Sequence, residues 1–292
     1  MGETKPEPLQ LAEVDGVTWF RYGGWDDFVN VGFSSRLGGV SRAPFAALNL
    51  ALHVADEDDQ VIANRRLLAQ ALDIEVERWV CADQVHGNNV VAVGRAQCAA
   101  GLLSRGDALP AADGMMTNDR GVWLTSFYAD CVPLYFYDPL RRVIATAHAG
   151  WRGTVADIVG EVLRGMAKKY GSDVREVRGL IGPAIGPCCY EVDEQVRAAV
   201  AVVLADDENH QGGEAGSALA EVCKPSVSGQ GKFMLDLKRC NQMLMMKAGM
   251  LPQHIESSQY CTCCRSDLFF SHRGEQGKTG RMAAWVYMHE ST

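Results

Sequence analysis

Two apolar runs in the middle of the chain constrain the fold most. Residues 121–139, GVWLTSFYADCVPLYFYDP, and residues 141–150, RRVIATAHAG, are rich in β-branched and aromatic side chains, which predicts two buried strands. The next stretch, residues 154–170, predicts a helix that Gly171 closes. Further strands and helices are mixed along the chain without a strict alternation, which favours an α+β fold over a doubly wound sheet.

The domain organisation follows from length and local composition. The 292 residues suit one large domain or two small ones, and no internal repeat or long linker divides them. We expect one domain over residues 17–292, preceded by a flexible N-terminal segment over residues 1–16. Residues 206–231 are polar and glycine-rich, and we expect them to form an exposed insertion in that domain.

Composition narrows the class of protein. A net charge of −8 argues against a general nucleic-acid binder, which needs a basic face. No apolar stretch reaches the roughly 18 residues of a membrane span, and the N-terminus lacks the apolar core of a secretory signal. We therefore expect a cytoplasmic enzyme without a nucleic-acid or membrane partner. There the ten cysteines are expected to be reduced and to serve as core residues, metal ligands or nucleophiles.

Three residues at predicted strand ends and turns form a candidate site. His86 lies in ADQVHGNNV, Cys131 in YADCVPL, and His148 at the end of the second apolar run. Two imidazoles and a thiolate suit Zn²⁺ and also copper, and three protein ligands leave a fourth position open, as in catalytic zinc sites. The alternatives are two hydrogen-bonded core histidines with one buried thiol, or a cysteine hydrolase with Cys131 as nucleophile. Asp130 is expected to position backbone and not His148.

Glycine-rich turns beside arginines indicate an anion site. HAGWRGT, residues 148–154, places Arg152 at a predicted helix start, where free N–H groups and the helix dipole favour an anion. Arg36 lies in SSRLGG, and Arg273 and Arg281 flank the last glycine-rich turn. Arginine suits phosphate or carboxylate. The alternative is a set of plain turns with exposed arginines.

Two further motifs are incomplete. GEQGKTGR contains Gly-Lys-Thr, but a P-loop requires glycine where His272 stands and a helix where a strand is predicted, so an ATPase is excluded. The tail cysteines Cys261, Cys263 and Cys264 contain one C-x-x-C, yet no second pair or histidine set is near them in the sequence. We expect them to be structural or incidental, with redox activity as the alternative.

Several stretches, in this order along the chain, resemble the YfiH-like laccase-domain family: GFSSRLGGVS, ALNLALHVADE, DQVHG, ADCVPL, HAGWRGT, IGPAIGPCCYEV, and FFSHRG with KTGRMA. The resemblance runs from about residue 17 to residue 288. Members of this family have been called polyphenol oxidases and are also described as purine nucleoside phosphorylases with adenosine deaminase activity. One bacterial branch is described as a peptidoglycan editing factor that removes wrongly incorporated L-serine.

The resemblance implies a layered α+β sandwich of mixed sheets with flanking helices, similar to bacterial toxin cysteine hydrolases. It places the metal site, and with it the catalytic residues, on His86, Cys131 and His148, with zinc expected and copper as the alternative. The implied function is a zinc-dependent purine nucleoside phosphorylase for adenosine, inosine and methylthioadenosine, with adenosine deaminase activity. An amidohydrolase that removes L-serine from a muropeptide precursor and a copper polyphenol oxidase are the alternatives. Seven histidines in the whole chain weigh against several copper ions.

For the leading function we assign the substrate-binding residues as follows. Arg36 and Arg152 are expected to hold phosphate, Trp151 or Phe270 to stack on the base, and Arg281 to contact the substrate. The partners would then be a purine nucleoside and phosphate. We expect a monomer or a weak homo-oligomer.

Overall fold

The computed structural model describes residues 6–205 and 215–290 of the chain. Within these residues it contains six α-helices and fifteen strands. The helices are α1 (Asp58–Ala71), α2 (Trp151–Val155), α3 (Ile158–Tyr170), α4 (Glu194–Leu204), α5 (Ala215–Val222) and α6 (Leu237–Lys247). The strands are β1 (Leu9–Val14), β2 (Val17–Tyr22), β3 (Val29–Ser34), β4 (Trp79–Cys81), β5 (Val90–Ala92), β6 (Gly114–Thr117), β7 (Trp123–Tyr128), β8 (Val132–Asp138), β9 (Val143–Ala149), β10 (Arg178–Ile181), β11 (Glu191–Asp193), β12 (Cys223–Pro225), β13 (Lys232–Leu235), β14 (Ile255–Ser257) and β15 (Met282–Met288).

Two mixed sheets form the centre of the fold. In the described part of the chain the first has the strand order β1-β2-β3-β15-β7-β4 and the second the order β14-β10-β8-β9-β6-β5. Most neighbours are antiparallel, but β4 pairs in parallel with β7, β5 with β6, and β14 with β10. A smaller sheet has the order β11-β13-β12. The α+β class with mixed sheets, expected from the sequence, is confirmed.

The central strands of the two large sheets are buried on both faces. On one face of β15, Trp285 belongs to a hydrophobic cluster that includes Leu68 of α1. On the opposite face, Val286 belongs to a cluster that also contains residues of β8, a strand of the second sheet. The outer face of the second sheet packs on α3, α4 and α6. Strands that are covered on both faces need apolar side chains at almost every position. This explains why the runs at 121–139 and 141–150 show no polar alternation.

The first apolar run is two strands in different sheets, and the prediction of a single strand over residues 121–139 was wrong. The run leaves the first sheet after β7 and enters the second sheet with β8. Between them Asp130 has a φ of 87°, a backbone conformation that non-glycine residues seldom adopt. Cys131 therefore lies where the chain crosses from one sheet to the other.

The helix predicted over residues 154–170 is interrupted. The short helix α2 ends at Val155, and α3 starts after Asp157, which has a φ of 59° and accepts a hydrogen bond from the backbone N–H of Gly160. At the other end Gly171 closes α3 with a φ of 72°, as the sequence predicted.

Regular structure is present where irregular segments were expected. Part of the predicted flexible segment over residues 1–16 is β1, which pairs antiparallel with β2; residues 1–5 lie outside the described residues. Most side chains of this edge strand are exposed, so its composition carries little apolar signal. Of the predicted insertion over residues 206–231, residues 206–214 lie outside the described residues, and the rest includes α5 and β12. Every helix in the described residues is too short or too polar to cross a bilayer.

Candidate metal centre

The fold brings His86, Cys131 and His148 together. Their potential ligand atoms all lie within 4.8 Å of one another, and the two imidazole rings are 4.7 Å apart between centroids. His148 lies near the end of β9, Cys131 directly before the adjacent strand β8, and His86 in the loop that follows β4. The pairing of β8 with β9 thus brings Cys131 and His148, which are separated in sequence, close together in space.

Asp113 holds both histidines in place. Its Oδ1 lies 2.8 Å from Nδ1 of His148, and its carboxylate accepts hydrogen bonds from the backbone N–H groups of His86, at 3.0 Å, and Gly87, at 2.7 Å. Since Nδ1 of His148 is occupied, Nε2 is the nitrogen left for a metal, which is the usual carboxylate–histidine–metal arrangement. The sequence did not identify Asp113, because an aspartate before a strand carries no sign of a partner 35 residues away.

The glycines after His148 allow the ligand loops to approach. A Cβ atom on Gly150 would lie 3.1 Å from Sγ of Cys131 and 3.1 Å from Cδ2 of His86. A Cβ atom on Gly153 would lie 2.8 Å from the carbonyl oxygen of Gly87. The anion site predicted at this turn stays a prediction, since α2 has only five residues. The glycines of this turn allow its backbone to approach Cys131 and the loop that carries His86.

Electrostatic interactions within the triad favour a charged pair. Desolvation would raise the pKa of Cys131, but the charge of His148 and hydrogen bonds from His148 and His86 outweigh it and lower this pKa to about 6. Burial would lower the pKa of His148, but the charge of Cys131 and the hydrogen bond to Asp113 outweigh it and raise this pKa to about 9. In the metal-free protein Cys131 is therefore a thiolate at neutral pH, which is the form that binds metals.

The donor set fits a single divalent metal ion of the zinc type. With Zn–N bonds of about 2.0 Å and Zn–S bonds of about 2.3 Å, a tetrahedral site separates its ligand atoms by roughly 3.3 to 3.8 Å, and the three atoms here lie within 4.8 Å. Asp130, as expected, does not contact His148; its carboxylate accepts hydrogen bonds from the Thr262 hydroxyl and from the Arg273 backbone. Among the described residues, no second group with metal-ligand spacing contains a histidine.

A cavity of about 610 Å³ opens on the triad, a volume within the usual range of small-molecule sites. Three of the predicted substrate-binding residues line it: Trp151, Arg152 and Arg281. The guanidinium of Arg152 lies 4.6 Å from the centre of the Trp151 ring. Arg273, one of the arginines that the sequence indicated for an anion, also lines the cavity. Further polar or aromatic lining residues, which the sequence did not single out for substrate binding, include His53, Arg105, Phe127, Tyr190 and His272.

The other two predicted substrate-binding residues, Arg36 and Phe270, lie away from this cavity, so that assignment was wrong. Arg36 donates hydrogen bonds to the carbonyl oxygen of Ser266 and to the carboxylate of Glu275, both at 3.0 Å. Its guanidinium also lies 4.5 Å from the centre of the Phe270 ring, and Phe270 is fully buried. Both side chains are occupied by partners within the protein, and they join the tail of the chain to the loop after β3.

Comparisons with known proteins agree with this architecture. Residues 30–289 match the model of the family described as multi-copper polyphenol oxidoreductase laccase. The purine nucleoside phosphorylase YlmD of Bacillus subtilis (strain 168) is 39% identical over 265 residues, which cover 90% of each chain. The crystal structure of YlmD from Geobacillus stearothermophilus has a TM-score of 0.88 at 37% identity and covers 98% of this chain and 100% of that one. The hypothetical protein YfiH of Bacillus licheniformis has a TM-score of 0.86 at 35% identity, over 96% and 99% of the two chains.

Proposed function

This chain belongs to the family described as multi-copper polyphenol oxidoreductase laccase, and from that premise we propose that it is a zinc-dependent purine nucleoside phosphorylase. The observation that carries the proposal is the opening of the His86–Cys131–His148 triad onto a cavity lined by arginines and aromatic rings. Relatives in Bacillus and Staphylococcus bear the name purine nucleoside phosphorylase. The substrates proposed are adenosine, inosine and methylthioadenosine.

The charge of the cavity suits phosphate. Of its two acidic lining residues, Asp83 is paired with Arg105 at 2.8 Å, and Asp130 accepts hydrogen bonds from neighbouring residues. Four arginines line the described cavity, Arg105, Arg152, Arg273 and Arg281, so its guanidinium groups outnumber its two carboxylates. Guanidinium groups recognise phosphate oxygens by paired hydrogen bonds. We assign Arg152 and Arg281 to the phosphate that attacks the anomeric carbon.

The aromatic and neutral polar side chains suit a purine base. Trp151 and Tyr190 line the cavity and present ring faces for stacking. Burial, and then the charges of Arg281 and Arg105, lower the pKa of His53 to about 4, and burial and Arg281 also lower the pKa of His272. Both imidazoles are thus neutral at pH 7, and each offers one donor and one acceptor to the edge of a base.

The metal centre contributes to leaving-group chemistry in this proposal. His86, Cys131 and His148 would hold the zinc ion, and Asp113 fixes the tautomer of His148. When bound there, zinc supplies a Lewis acid and lowers the pKa of water in its open position. Phosphorolysis breaks the bond between the base and the sugar, forms the bond from phosphate to the anomeric carbon, and returns a proton to the base. Adenosine deamination at the same centre is part of the proposal: water adds to the purine ring and ammonia leaves.

Product analysis tests the proposal. Zinc-loaded protein is incubated with inosine or adenosine, with and without phosphate, and the bases and sugar phosphates are separated by chromatography. We expect phosphate-dependent release of hypoxanthine from inosine, and inosine formation from adenosine without phosphate. Cys131→Ser should abolish both activities, whereas Cys98→Ser, a cysteine outside the site, should leave them unchanged. Absence of phosphate-dependent base release from every nucleoside would refute the phosphorylase, and L-serine release from a muropeptide precursor would then identify the amidohydrolase.

A further inference from the structure

Four cysteines from two distant parts of the sequence lie together outside the catalytic cavity. Cys188 and Cys189 follow β10, and Cys261 and Cys264 follow β14. Their sulfur atoms all lie within 4.8 Å of one another, and Sγ of Cys264 is 3.4 Å from Sγ of both Cys188 and Cys189. All are free thiols, at sulfur separations well beyond the roughly 2.05 Å of a disulfide.

The second cysteine pair that the tail C-x-x-C lacks in the local sequence is supplied by the fold, and of the two expected roles, structural or incidental, this arrangement favours the structural one. The sheet brings the two cysteine pairs together. β10 and β14 are neighbouring parallel strands, so the segments that follow them leave the sheet at the same edge. A parallel bridge between Ala184 and Cys261 extends this contact. Cys189 and Cys264 are 75 residues apart in the sequence, so local cysteine spacing could not reveal that the two pairs meet.

We propose that Cys188, Cys189, Cys261 and Cys264 form a second metal site, a structural zinc site with four thiolate ligands. A tetrahedral zinc ion with Zn–S bonds of about 2.3 Å separates its sulfurs by roughly 3.8 Å. The separations here, from 3.4 Å to within 4.8 Å, bracket that value. Four protein ligands close the coordination sphere, which is the pattern of a structural and not a catalytic zinc.

The surroundings of the four thiols suit a metal thiolate. The backbone N–H of Gly186 donates to Sγ of Cys261 at 3.1 Å, and such second-sphere hydrogen bonds orient and stabilise ligands. A Cβ atom on Gly186 would lie 3.2 Å from Sγ of Cys188 and 3.2 Å from Cβ of Cys261, so glycine keeps the turn close to both cysteines. Zinc with four thiolates carries a double negative charge, and the buried Lys238 lines the same cavity as Cys188 and Cys261.

This site connects to the catalytic cysteine through Asp130. The backbone N–H of Ile185, in the segment that carries the first cysteine pair, donates to the carbonyl oxygen of Asp130 at 3.0 Å. The hydroxyl of Thr262, which lies within the C-x-x-C, donates to the Asp130 carboxylate at 2.7 Å. Asp130 precedes Cys131 at the crossover between the sheets. The second zinc would thus lock together the two segments that hold this crossover in position.

Zinc stoichiometry tests the proposal independently of any enzyme activity. The full-length protein, loaded with Zn²⁺ in reducing buffer and freed of excess metal, should contain two zinc ions per chain by elemental analysis. Cys264→Ser and Cys131→Ser should each retain one, the double variant should retain none, and Cys98→Ser should retain two. A wild-type protein whose zinc content does not fall in Cys264→Ser would overturn the proposal. The zinc count of Cys264→Ser tests only the second site; the proposed phosphorylase is tested separately, by the products formed at the other centre.

A measurement on the wild-type protein covers the case in which Cys264→Ser does not fold. X-ray absorption at the zinc edge reports the average number of sulfur ligands per ion. Two filled sites predict an average between two and three sulfurs, whereas the histidine-containing site alone predicts one. An average of one sulfur, or a disulfide among the four cysteines found by mass spectrometry of the zinc-loaded protein, would refute the second site.

Discussion

The carboxylate of Asp113 lies 2.8 Å from Nδ1 of His148, and this contact orients the more deeply buried histidine of the candidate metal centre. The same carboxylate accepts hydrogen bonds from the backbone of the loop that carries His86. One side chain therefore sets the ring of one ligand and the position of another. Asp113 is a positioning residue, since it acts through the ligands.

Asp113→Asn should weaken zinc binding about 10- to 100-fold, the usual effect of removing the partner of a metal-bound histidine. The amide keeps the size of the side chain but loses its charge. Zinc affinity is measured by competition with a chromogenic chelator. The control is Asp83→Asn, which removes a cavity carboxylate paired with Arg105 and should leave zinc affinity unchanged. Equal affinities for Asp113→Asn and the wild-type protein would contradict the positioning role.

Gly150→Ala should perturb the metal centre by steric contact. The added methyl group would lie 3.1 Å from both Sγ of Cys131 and Cδ2 of His86, and relieving such contacts typically costs about 1–3 kcal/mol. We expect a roughly 5- to 150-fold loss of zinc affinity, since about 1.4 kcal/mol corresponds to a factor of ten. Gly23→Ala is the matched control, because its added Cβ meets nothing within 4 Å. If the two variants bind zinc equally well, Gly150 is not needed for close approach of the ligands.

Alkylation of Cys131 in the zinc-free protein should follow a titration with a midpoint near pH 6, since its pKa is lowered to about 6. The thiolate is present above this pH and is lost as the pH falls through it. The rate of modification by iodoacetamide is followed for each cysteine by peptide mass spectrometry. Cys98 is the internal control, because burial raises its pKa. His148→Ala should move the midpoint of Cys131 upward; a midpoint above pH 8 in the wild-type protein would contradict the thiolate–imidazolium pair.

Arg281→Gln should raise the KM for phosphate about tenfold or more, because hydrogen bonds to charged groups contribute about 1.5–3 kcal/mol. The KM for the nucleoside should change less. Arg36→Gln gives the contrasting result, since Arg36 is held by Glu275 and by backbone carbonyls away from the cavity. It should lower the melting temperature with little effect on either KM. A larger rise of the phosphate KM in Arg36→Gln than in Arg281→Gln would reverse this assignment.

Much of the fold and the residues of the candidate metal centre could be predicted from the sequence, because those signals lie in local runs and motifs. The apolar runs identified the buried strands, and the family motifs carried His86, Cys131 and His148. Asp113 could not be found in this way, because its role depends on β6 lying beside β9. The contact between the second cysteine pair and the tail cysteines could not be predicted either, because it depends on the pairing of β10 with β14.

The error at Arg36 and Phe270 has a related cause. A glycine-flanked arginine and an aromatic ring suit a ligand, but they suit each other equally well, and here the guanidinium lies over the ring. Sequence cannot tell which partner a side chain takes when the partner is more than 200 residues away, as Glu275 is from Arg36.

The crossover at Asp130 could not be predicted from the sequence for a different reason. Apolar strands flank it on both sides, and a single left-handed residue carries the change of sheet.

The most direct test of the account follows nucleoside phosphorolysis while zinc is returned to chelator-treated protein. Hypoxanthine release from inosine is measured in phosphate buffer as a function of added Zn²⁺, with occupancy of the His86–Cys131–His148 centre followed by protection of Cys131 from alkylation. The account predicts that turnover is absent without zinc and rises in proportion to the protection of Cys131. Full turnover in the zinc-free protein, or none at full protection of Cys131, would contradict it.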